Sequence, residues 1–365
     1  MHRIVVKIGS SSLTSDEGGL NRDKIVFFAH ELAQLAASDT QVLLVTSGAV
    51  AAGFRQIGYP SRPKLLHEKQ AAAAVGQALL MQAYQEALGA YSICAAQILL
   101  TRSDFSNRNR IRNAQMTIEE LLRQKIVPII NENDTVSVDE LKFGDNDMLS
   151  ALVANLVKAN GLIIITDTDG LYTADPRKDP AAKRLERIGE ITDEIYAVAG
   201  GSGSAVGTGG MRSKVEAAKV AMRGGVPTFV GKVAERGDLQ LAVYGNGKGT
   251  YFDTQRHSLP MKKQWLGFHS TPRGKVFVDS GAEAALISRG KSLLPVGVKH
   301  VEGDFRSGDV IEVFNMDGQV IGRGIVNYDS TQIRAVAGLS TDEIQKRIEL
   351  PRAEIIHRDE WISLK

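Results

Sequence analysis

Ile4-Val5-Val6-Lys7-Ile8-Gly9-Ser10-Ser11-Ser12 decides the fold class. Its first half is a short, β-branched, apolar run carrying one lysine near its end, and it breaks at once into glycine and serine. An apolar run of this length bounded by turn residues suits a strand buried on both faces, as in a parallel sheet. Val42 to Val45, Ile126 to Ile130, Leu162 to Ile165 and Val226 to Val230 have the same shape. The segments between them carry helical periodicity. Ile25, Phe28, Leu32 and Leu35 recur at spacings of three and four behind Asn21, a residue suited to an N-cap. Gln70 to Leu88 and Asp147 to Lys158 read the same way. Strand and helix alternating over roughly 230 residues predict an α/β fold, an open and mostly parallel sheet sandwiched by helices.

Past Gly231 the texture changes. Gly245-Asn246-Gly247-Lys248-Gly249 is turn-rich, and from there to Thr271 the chain reads as a connector. Lys275 to Val278, Asp309 to Phe314 and Gln319 to Val326 are short strand-like runs, the last two separated by the turn Asn315-Met316-Asp317-Gly318. The expected organisation is a first domain over residues 1–255, a linker over 256–272 and a small β-rich domain over 273–355. A polar tail containing His357 and Trp361 is expected to follow.

Composition narrows the class. The chain has 365 residues, 43% hydrophobic and 24% charged, enough apolar material for two globular cores at about 150 residues per domain. Lysine and arginine number 44 against 42 acidic residues, so the overall basic field of a dedicated nucleic-acid binder is not expected. The single cysteine, Cys94, excludes an internal disulfide framework and suits a reducing compartment. It sits in the mostly apolar run Ile93 to Leu100 and is expected to be inert core. No apolar run approaches the ~18 residues of a membrane helix, and the N-terminus turns polar too early for a signal peptide. A soluble cytoplasmic protein is expected.

In an open α/β sheet, ligands bind outside the carboxyl ends of the strands. The first strand leads to Gly9 and Ser10 with Lys7 near its end, and the second to Thr46-Ser47-Gly48-Ala49. The third leads to Asn131-Glu132-Asn133-Asp134 and the fourth to Thr166-Asp167-Thr168-Asp169-Gly170. Gly144-Asp145-Asn146-Asp147 opens one predicted helix, and Gly207-Thr208-Gly209-Gly210-Met211-Arg212-Ser213-Lys214 opens another. If the strands are parallel, most of these small polar loops fall on one edge of the sheet. Glycine loops feeding helix N-termini suit phosphate. Lys7 and Lys214 add point charges, and Asp147 and Asp145 are suited to holding those lysines or positioning Mg2+. The bland reading treats each loop as a structural turn and Lys7 as a snorkelling end-of-strand lysine. Convergence of six loops favours one shared site.

Other chemistries lack their signatures. G-x-G-x-x-G fails after every predicted strand, no Walker loop is present, and Gly290-Lys291-Ser292 has Ala285 where the leading glycine belongs. A calcium loop at Asp167-Thr168-Asp169-Gly170 would begin on Ile165. The seven histidines show no metal-ligand spacing, and Gly-x-Ser-x-Gly does not occur.

These motifs together resemble the amino acid kinase family: Val5-Val6-Lys7-Ile8-Gly9-Ser10, Val45-Thr46-Ser47-Gly48-Ala49, Asn131 to Asp134, Gly144 to Asp147, and Gly207 to Lys214. The first domain would then have the amino acid kinase fold. Leu293-Leu294-Pro295-Val296-Gly297 and Gly303 to Val313 resemble the PUA domain that some members carry. The Asn131–Asp134 and Gly144–Asp147 pair, with this appendage, selects members that phosphorylate the side-chain carboxylate of L-glutamate at the head of proline biosynthesis. The resemblance implies that Lys7 and Lys214 bind phosphates and stabilise the transferring group, while Asp147 orients both. It implies contacts from Gly9 and Ser10 to the γ-phosphate of ATP, taken with Mg2+. Ser47, Gly48, Asp134 and Asn146 would hold glutamate, with Asn131 nearby. Thr166, Asp167, Thr208, Gly209, Gly210, Met211, Arg212, Ser213 and Lys214 would line the nucleotide pocket. It also implies feedback inhibition by proline and a homo-oligomer, dimer or tetramer.

The chemistry agrees independently, because a carboxylate of reference pKa ~4.3 is already ionised at neutral pH and needs no general base. The obstacle is bringing two anions together, which paired lysines, Mg2+ and helix N-termini address. Rival readings are a kinase for acetylglutamate, aspartate or a nucleoside monophosphate, a non-catalytic sensor, and an RNA-binding PUA protein on a kinase scaffold. The last is disfavoured: Arg273, Lys275, Arg289, Lys291, Lys299 and Arg306 interleave with Asp279, Glu283, Glu302, Asp304 and Asp309, and no stacking-aromatic pattern is evident.

Overall fold

The computed structural model describes the chain except residues 1, 16, 138–145, 177, 201–209, 255–262, 264–265, 268–269, 271, 340–342, 344–351 and 365. The chain divides into two compact units, Met1–Asp104 with Arg108–Ser258, and Leu259–Lys365 with Phe105–Asn107.

The strands of the first unit are β1 (His2–Ile8), β2 (Thr40–Val45), β3 (Ala95–Leu100), β4 (Val127–Glu132), β5 (Gly161–Ile165), β6 (Arg187–Ile188), β7 (Thr228–Gly231) and β8 (Gly249–Phe252). They form one sheet in the order β3-β4-β2-β1-β5-β7-β8-β6. The first six of that order run parallel, β8 pairs antiparallel with β7, and β6 lies parallel to β8. The helices are α1 (Arg22–Ala37), α2 (Ala49–Gly53), α3 (Leu66–Gly89), α4 (Arg102–Ser106), α5 (Arg108–Arg123), α6 (Asn146–Leu156), α7 (Asp193–Ala199), α8 (Met211–Arg223) and α9 (Asp238–Val243). On one face, Ile4, Val6 and Ile8 of β1 and Val42 and Leu44 of β2 form a core with Ile25, Phe28 and Leu32 of α1 and Leu80 and Tyr84 of α3. Alternate residues of a strand point to opposite faces, so Val5 and Lys7 face the other layer, where α6 and α8 pack together. Asn21 caps α1 as its sequence position predicts, accepting from Lys24 N at 3.1 Å.

Two departures in this unit have a physical reason. Gly249–Phe252, expected to open a connector, is the strand β8, because Thr250 and Phe252 are fully buried against β7 and the flanking glycines disguise a four-residue strand. The run containing Cys94 is the edge strand β3, so Cys94, just before it, is exposed rather than inert core.

The second unit holds β9 (Gly274–Val278), α10 (Ser280–Ile287), β10 (Val298–Glu302), β11 (Val310–Phe314), β12 (Val320–Val326), α11 (Ser330–Val336) and β13 (Ile356–Ser363). Its sheet order is β10-β9-β11-β12-β13, antiparallel except for β9 with β11. Asp279 and Asp329 cap the two helices, the latter in a reciprocal box with Gln332. The segment expected as a polar tail is β13. Ile356, Trp361 and Ile362 are buried, while His357 to Glu360 keep a polar side toward solvent, which hides the strand in the sequence. Pairing in register also stacks Phe277 on Phe314, with centroids 5.2 Å apart and His300 tilted against Phe277. Sequence spacing does not show this aromatic pair, because its members come from different strands. Among the described residues no helix is long and apolar enough to cross a membrane.

Candidate active site

The described residues of the polar loops singled out from the sequence leave the carboxyl end of a parallel strand or open a helix. Lys7 lies near the end of β1, Thr46 and Ser47 follow β2, Asn131 and Glu132 end β4, and Thr166 and Asp167 follow β5. Asp147 stands in the first turn of α6 and Lys214 in that of α8. Packing of α6 against α8 brings these residues together at the sheet edge. Lys7 Nζ lies 2.5 Å from Oδ1 of Asp147, and Lys214 Nζ lies 3.0 Å from Oδ2. Asp147 is wholly buried, and the two lysines are 4% and 7% exposed. Burial pushes the Asp147 carboxyl up, but attraction to Lys7 and Lys214 and hydrogen bonds from both hold it well below the usual carboxylate range. Ser213 Oγ donates to the same Oδ2 at 3.1 Å. Among the described residues, one carboxylate thus fixes two ammonium groups at a place shielded from water.

Two cavities meet at this centre, sharing Thr166, Asp167 and Lys214. The first, about 460 Å3, is lined by Lys7, Gly9, Ser10, Ser47, Gly48, Asn131, Asp134 and Asn146. The second, about 590 Å3, is lined by Thr166 to Tyr172, Gly210, Met211, Lys214, Lys232, Glu235 and Lys248. Gly9 suits its place because a Cβ there would crowd the Lys7 ammonium at 3.3 Å. Gly48 has φ +105°, a left-handed conformation that favours glycine, and it opens α2 toward the first cavity. The short helix α2 is held by α3: a Cβ at Gly53 or Gly76 would collide with the backbone of the other helix.

The polar floor of the first cavity is a hydrogen-bonded set. Asn146 Nδ2 shares its two hydrogens among three acceptors, Thr46 O at 2.5 Å, Asn131 Oδ1 at 2.7 Å and Ser47 Oγ at 2.9 Å. Thr46 is itself held by its amide on Ile130 O at 2.9 Å and by its hydroxyl against the Tyr84 hydroxyl at 3.2 Å. Ser137 donates to Glu132 at 2.8 Å, and Gln70 donates to Ser137 O at 3.2 Å.

Most of the candidates read from the sequence gather here. Arg212 stands apart, on the exposed flank of α8, with its guanidinium 3.5 Å from Glu216. Gly144, Asp145, Gly207, Thr208 and Gly209 lie outside the described residues. Arg62, Lys64, Lys69 and Gln70 in the first cavity, and Tyr172, Lys232 and Lys248 in the second, were missed. Lys232 was within reach of the same rule that found Lys7, since it directly follows β7. Arg62 and Lys64 flank Pro63 in an inter-helix loop with no motif to signal them.

A sequence model of the amino acid kinase family matches residues 2–232, and one of the PUA domain matches 274–348. The chain belongs to the amino acid kinase family. A relative named glutamate 5-kinase from Geobacillus kaustophilus (strain HTA426) is 52% identical over 364 residues, covering 100% of this chain and 97% of the relative. A second glutamate 5-kinase, from Bacillus cereus (strain ATCC 10987 / NRS 248), is 49% identical over 99% of both chains. Among solved structures, carbamate kinase from Giardia lamblia bound to AMP-PNP is similar in fold, with a TM-score of 0.50 and 18% identity over 70% of this chain and 99% of that one.

Proposed function

We propose that this chain transfers the γ-phosphoryl group of ATP to the side-chain carboxylate of L-glutamate, giving L-glutamyl 5-phosphate and ADP, the opening step of proline biosynthesis. The observation that carries the reading is the buried Lys7–Asp147–Lys214 centre at the junction of two cavities. The full-length relatives named glutamate 5-kinase support the choice of acid.

Glutamate occupies the first cavity, with Ser47 and Gly48 toward its carboxylates, Asn146 and Asn131 forming the floor behind them, and Asp134 toward its ammonium group. ATP occupies the second, between the Thr166–Asp167 turn and the Gly210–Lys214 helix start. A side-chain carboxylate oxygen forms the new bond to phosphorus, and the β–γ bridging oxygen leaves with its electron pair on ADP. The nucleophile is ionised at neutral pH, so no base is called for. Lys7 and Lys214 offset the charge of two converging anions, and Asp147 keeps both ammonium groups in place before substrate arrives. Among the described residues no cluster of three or more His, Cys, Asp or Glu forms a metal cage. Asp167, common to both cavities, is the carboxylate that would hold a Mg2+ carried on the nucleotide phosphates. Mg2+ so bound would draw negative charge from the β- and γ-phosphates.

Proline shares the α-carboxylate and ammonium nitrogen of glutamate and is proposed to compete in the first cavity. Assembly as a homo-oligomer and a cytoplasmic location belong to the same proposal. The second unit is proposed as a structural or regulatory appendage. Some of its cations are ion-paired, Lys275 with Glu302, Lys299 with Asp279, Arg323 with Glu312 and Arg334 with Asp304, and acidic residues interleave with the others in sequence, which weakens the positive field for RNA phosphates despite the Phe277–Phe314 stack.

The test is ADP release with Mg2+ and ATP, with and without L-glutamate, using hydroxylamine to trap an acyl phosphate. Glutamate-dependent ADP with matching hydroxamate supports the reading. Turnover on aspartate or acetylglutamate alone would reassign the acid, and silence with every acid would remove the kinase reading.

A further inference from the structure

Behind the floor of the first cavity runs a chain of side-chain amides that leads away from the substrate. Asn131 Nδ2 donates to Gln77 Oε1 at 2.8 Å, and Gln77 Nε2 donates to Gln97 Oε1 at 2.9 Å. Gln77 stands on α3 and Gln97 on the edge strand β3, where it is exposed. Asn131, Asn146 and Gln77 are 2%, 6% and 9% exposed, so an amide that loses its partner here has little water to replace it.

Backbone groups fix the sense of the chain. The Glu132 amide donates to Asn131 Oδ1 at 2.9 Å, which turns Asn131 Nδ2 toward α3. The carbonyl of Thr46 only accepts, so the Asn146 atom beside it is Nδ2. That same Nδ2 extends a shared, three-centre hydrogen bond to Ser47 Oγ. With its oxygen accepting from Asn146, the Ser47 hydroxyl keeps its hydrogen for the cavity that Ser47 lines. Reversal of the Asn146 amide would turn the Ser47 hydroxyl onto Asn146 and remove a donor from the cavity.

We infer that Gln77 is a positioning residue for the substrate carboxylate: the backbone groups set the sense of the amides, and by accepting from Asn131 Gln77 holds the Asn131–Asn146 pair in the place that aims the Ser47 hydroxyl at the bound acid. The inference rests on the reading of the first cavity as the glutamate site. Gln77 touches neither substrate nor nucleotide and acts through Asn131. Without its acceptor, Asn131 Nδ2 is stranded in the interior, and the pair relaxes at the expense of Ser47.

The experiment is steady-state kinetics on the full chain with Gln77→Met, Gln77→Glu, Ser47→Ala and the Gln77→Met/Ser47→Ala double variant. Gln77→Met keeps the side-chain length and removes the acceptor; it is expected to raise the KM for glutamate about tenfold, the scale of one hydrogen bond to a charged group, and leave the KM for ATP unchanged. Gln77→Glu keeps an acceptor for Asn131, while exposed Gln97 is free to turn its amide toward the new carboxylate. It is expected to stay within about threefold of the unmodified chain. In the Ser47→Ala background Gln77→Met is expected to add little, because the hydroxyl it aims is gone. Should Gln77→Met not fold, Gln77→Asn, too short to reach both partners, is expected to shift the KM for glutamate in the same direction.

Equal rises in both KM values, or full additivity with Ser47→Ala, would make Gln77 a packing residue and overturn the inference. An unchanged KM for glutamate in Gln77→Met would do the same. Absence of glutamate-dependent turnover in the unmodified chain would instead remove the site reading and the inference together.

Discussion

Lys7 and Asp147 form an ion pair of 2.5 Å with neither side chain more than 5% exposed, and the carboxylate's other oxygen holds Lys214 at 3.0 Å. A carboxylate placed between two buried ammonium groups stays ionised far into acid. Its folded pKa lies below its unfolded one, so its contribution to stability is complete above the unfolded value of about 4 and is lost as pH falls through the folded value. Urea unfolding of the unmodified chain and of Asp147→Asn should therefore differ by a constant amount from pH 5 to 8. The difference should reach about 3–5 kcal/mol, the scale of breaking a buried pair, and shrink below about pH 4. A gap that stayed constant down to pH 3 would mean that the Asp147 carboxyl titrates alike in the folded and unfolded chains, and would remove the stabilisation assigned to the two lysines.

Lys7→Ala and Lys214→Ala are each expected to lower kcat on the order of 10²–10³, by analogy with removing one preorganised donor. Lys7→Arg should recover little, because a planar guanidinium does not present a compact charge beside Gly9, where space at the ammonium is tight. Single-turnover ATP cleavage reads the chemical step directly. Near-normal rates in Lys7→Ala would remove its electrostatic role.

The sheet was legible because parallel strands buried on both faces write continuous apolar runs, as in Ile4 to Ile8 and Leu162 to Ile165. Short or partly exposed strands do not. β3 is half exposed, β8 starts on a glycine, and β13 is polar on one side, so none carries that signal. Candidate site residues were legible where they sit in glycine- or asparagine-rich loops at strand ends. Gln77 and Gln97 lie within a helix and an edge strand, where a polar residue reads as a solvated face. Only the packing of α3 against the sheet shows that Gln77 faces inward.

Asp134→Ala is expected to raise the KM for glutamate far more than that for ATP, since a carboxylate is the natural partner of the substrate ammonium and Asp134 lines the first cavity alone. Glutarate, which lacks that ammonium, should lose much less than glutamate on the same substitution. Equal losses on glutamate and ATP would make Asp134 a loop-shaping residue.

Gly76→Ala tests how α2 is held. The added methyl would collide with the Ala49 carbonyl and the Gly53 backbone, so α2 has to shift off α3. Overpacking of this kind costs about 1–3 kcal/mol. The displaced helix carries Gly48 and Ser47 at its start, so the KM for glutamate should rise with the loss of stability. Gly19→Ala, where nothing lies within 4 Å of the new methyl, serves as the control. A stable Gly76→Ala protein with normal glutamate kinetics would show that the helix pair tolerates separation.

Truncation before Ile356 tests whether β13 belongs to the second unit's core. Trp361 and Ile356 join that core, and Gly322 and Gly324 on β12 leave room for exactly those side chains: a Cβ at Gly322 would meet the Trp361 ring and one at Gly324 would meet Ile356. Burial of Ile356, Trp361 and Ile362 contributes roughly 1.5–3 kcal/mol per side chain, against a total of about 5–15 kcal/mol for an ordinary domain. Their removal also leaves β12 as an unpaired edge. Limited proteolysis of the truncated chain should degrade the second unit and leave a fragment ending near the Ser258–Leu259 division. Gly322→Val, which keeps the strand but wedges against Trp361, should weaken the same unit to a smaller degree. Equal protease resistance in the truncated and full chains would return residues 356–363 to the status of a dispensable tail.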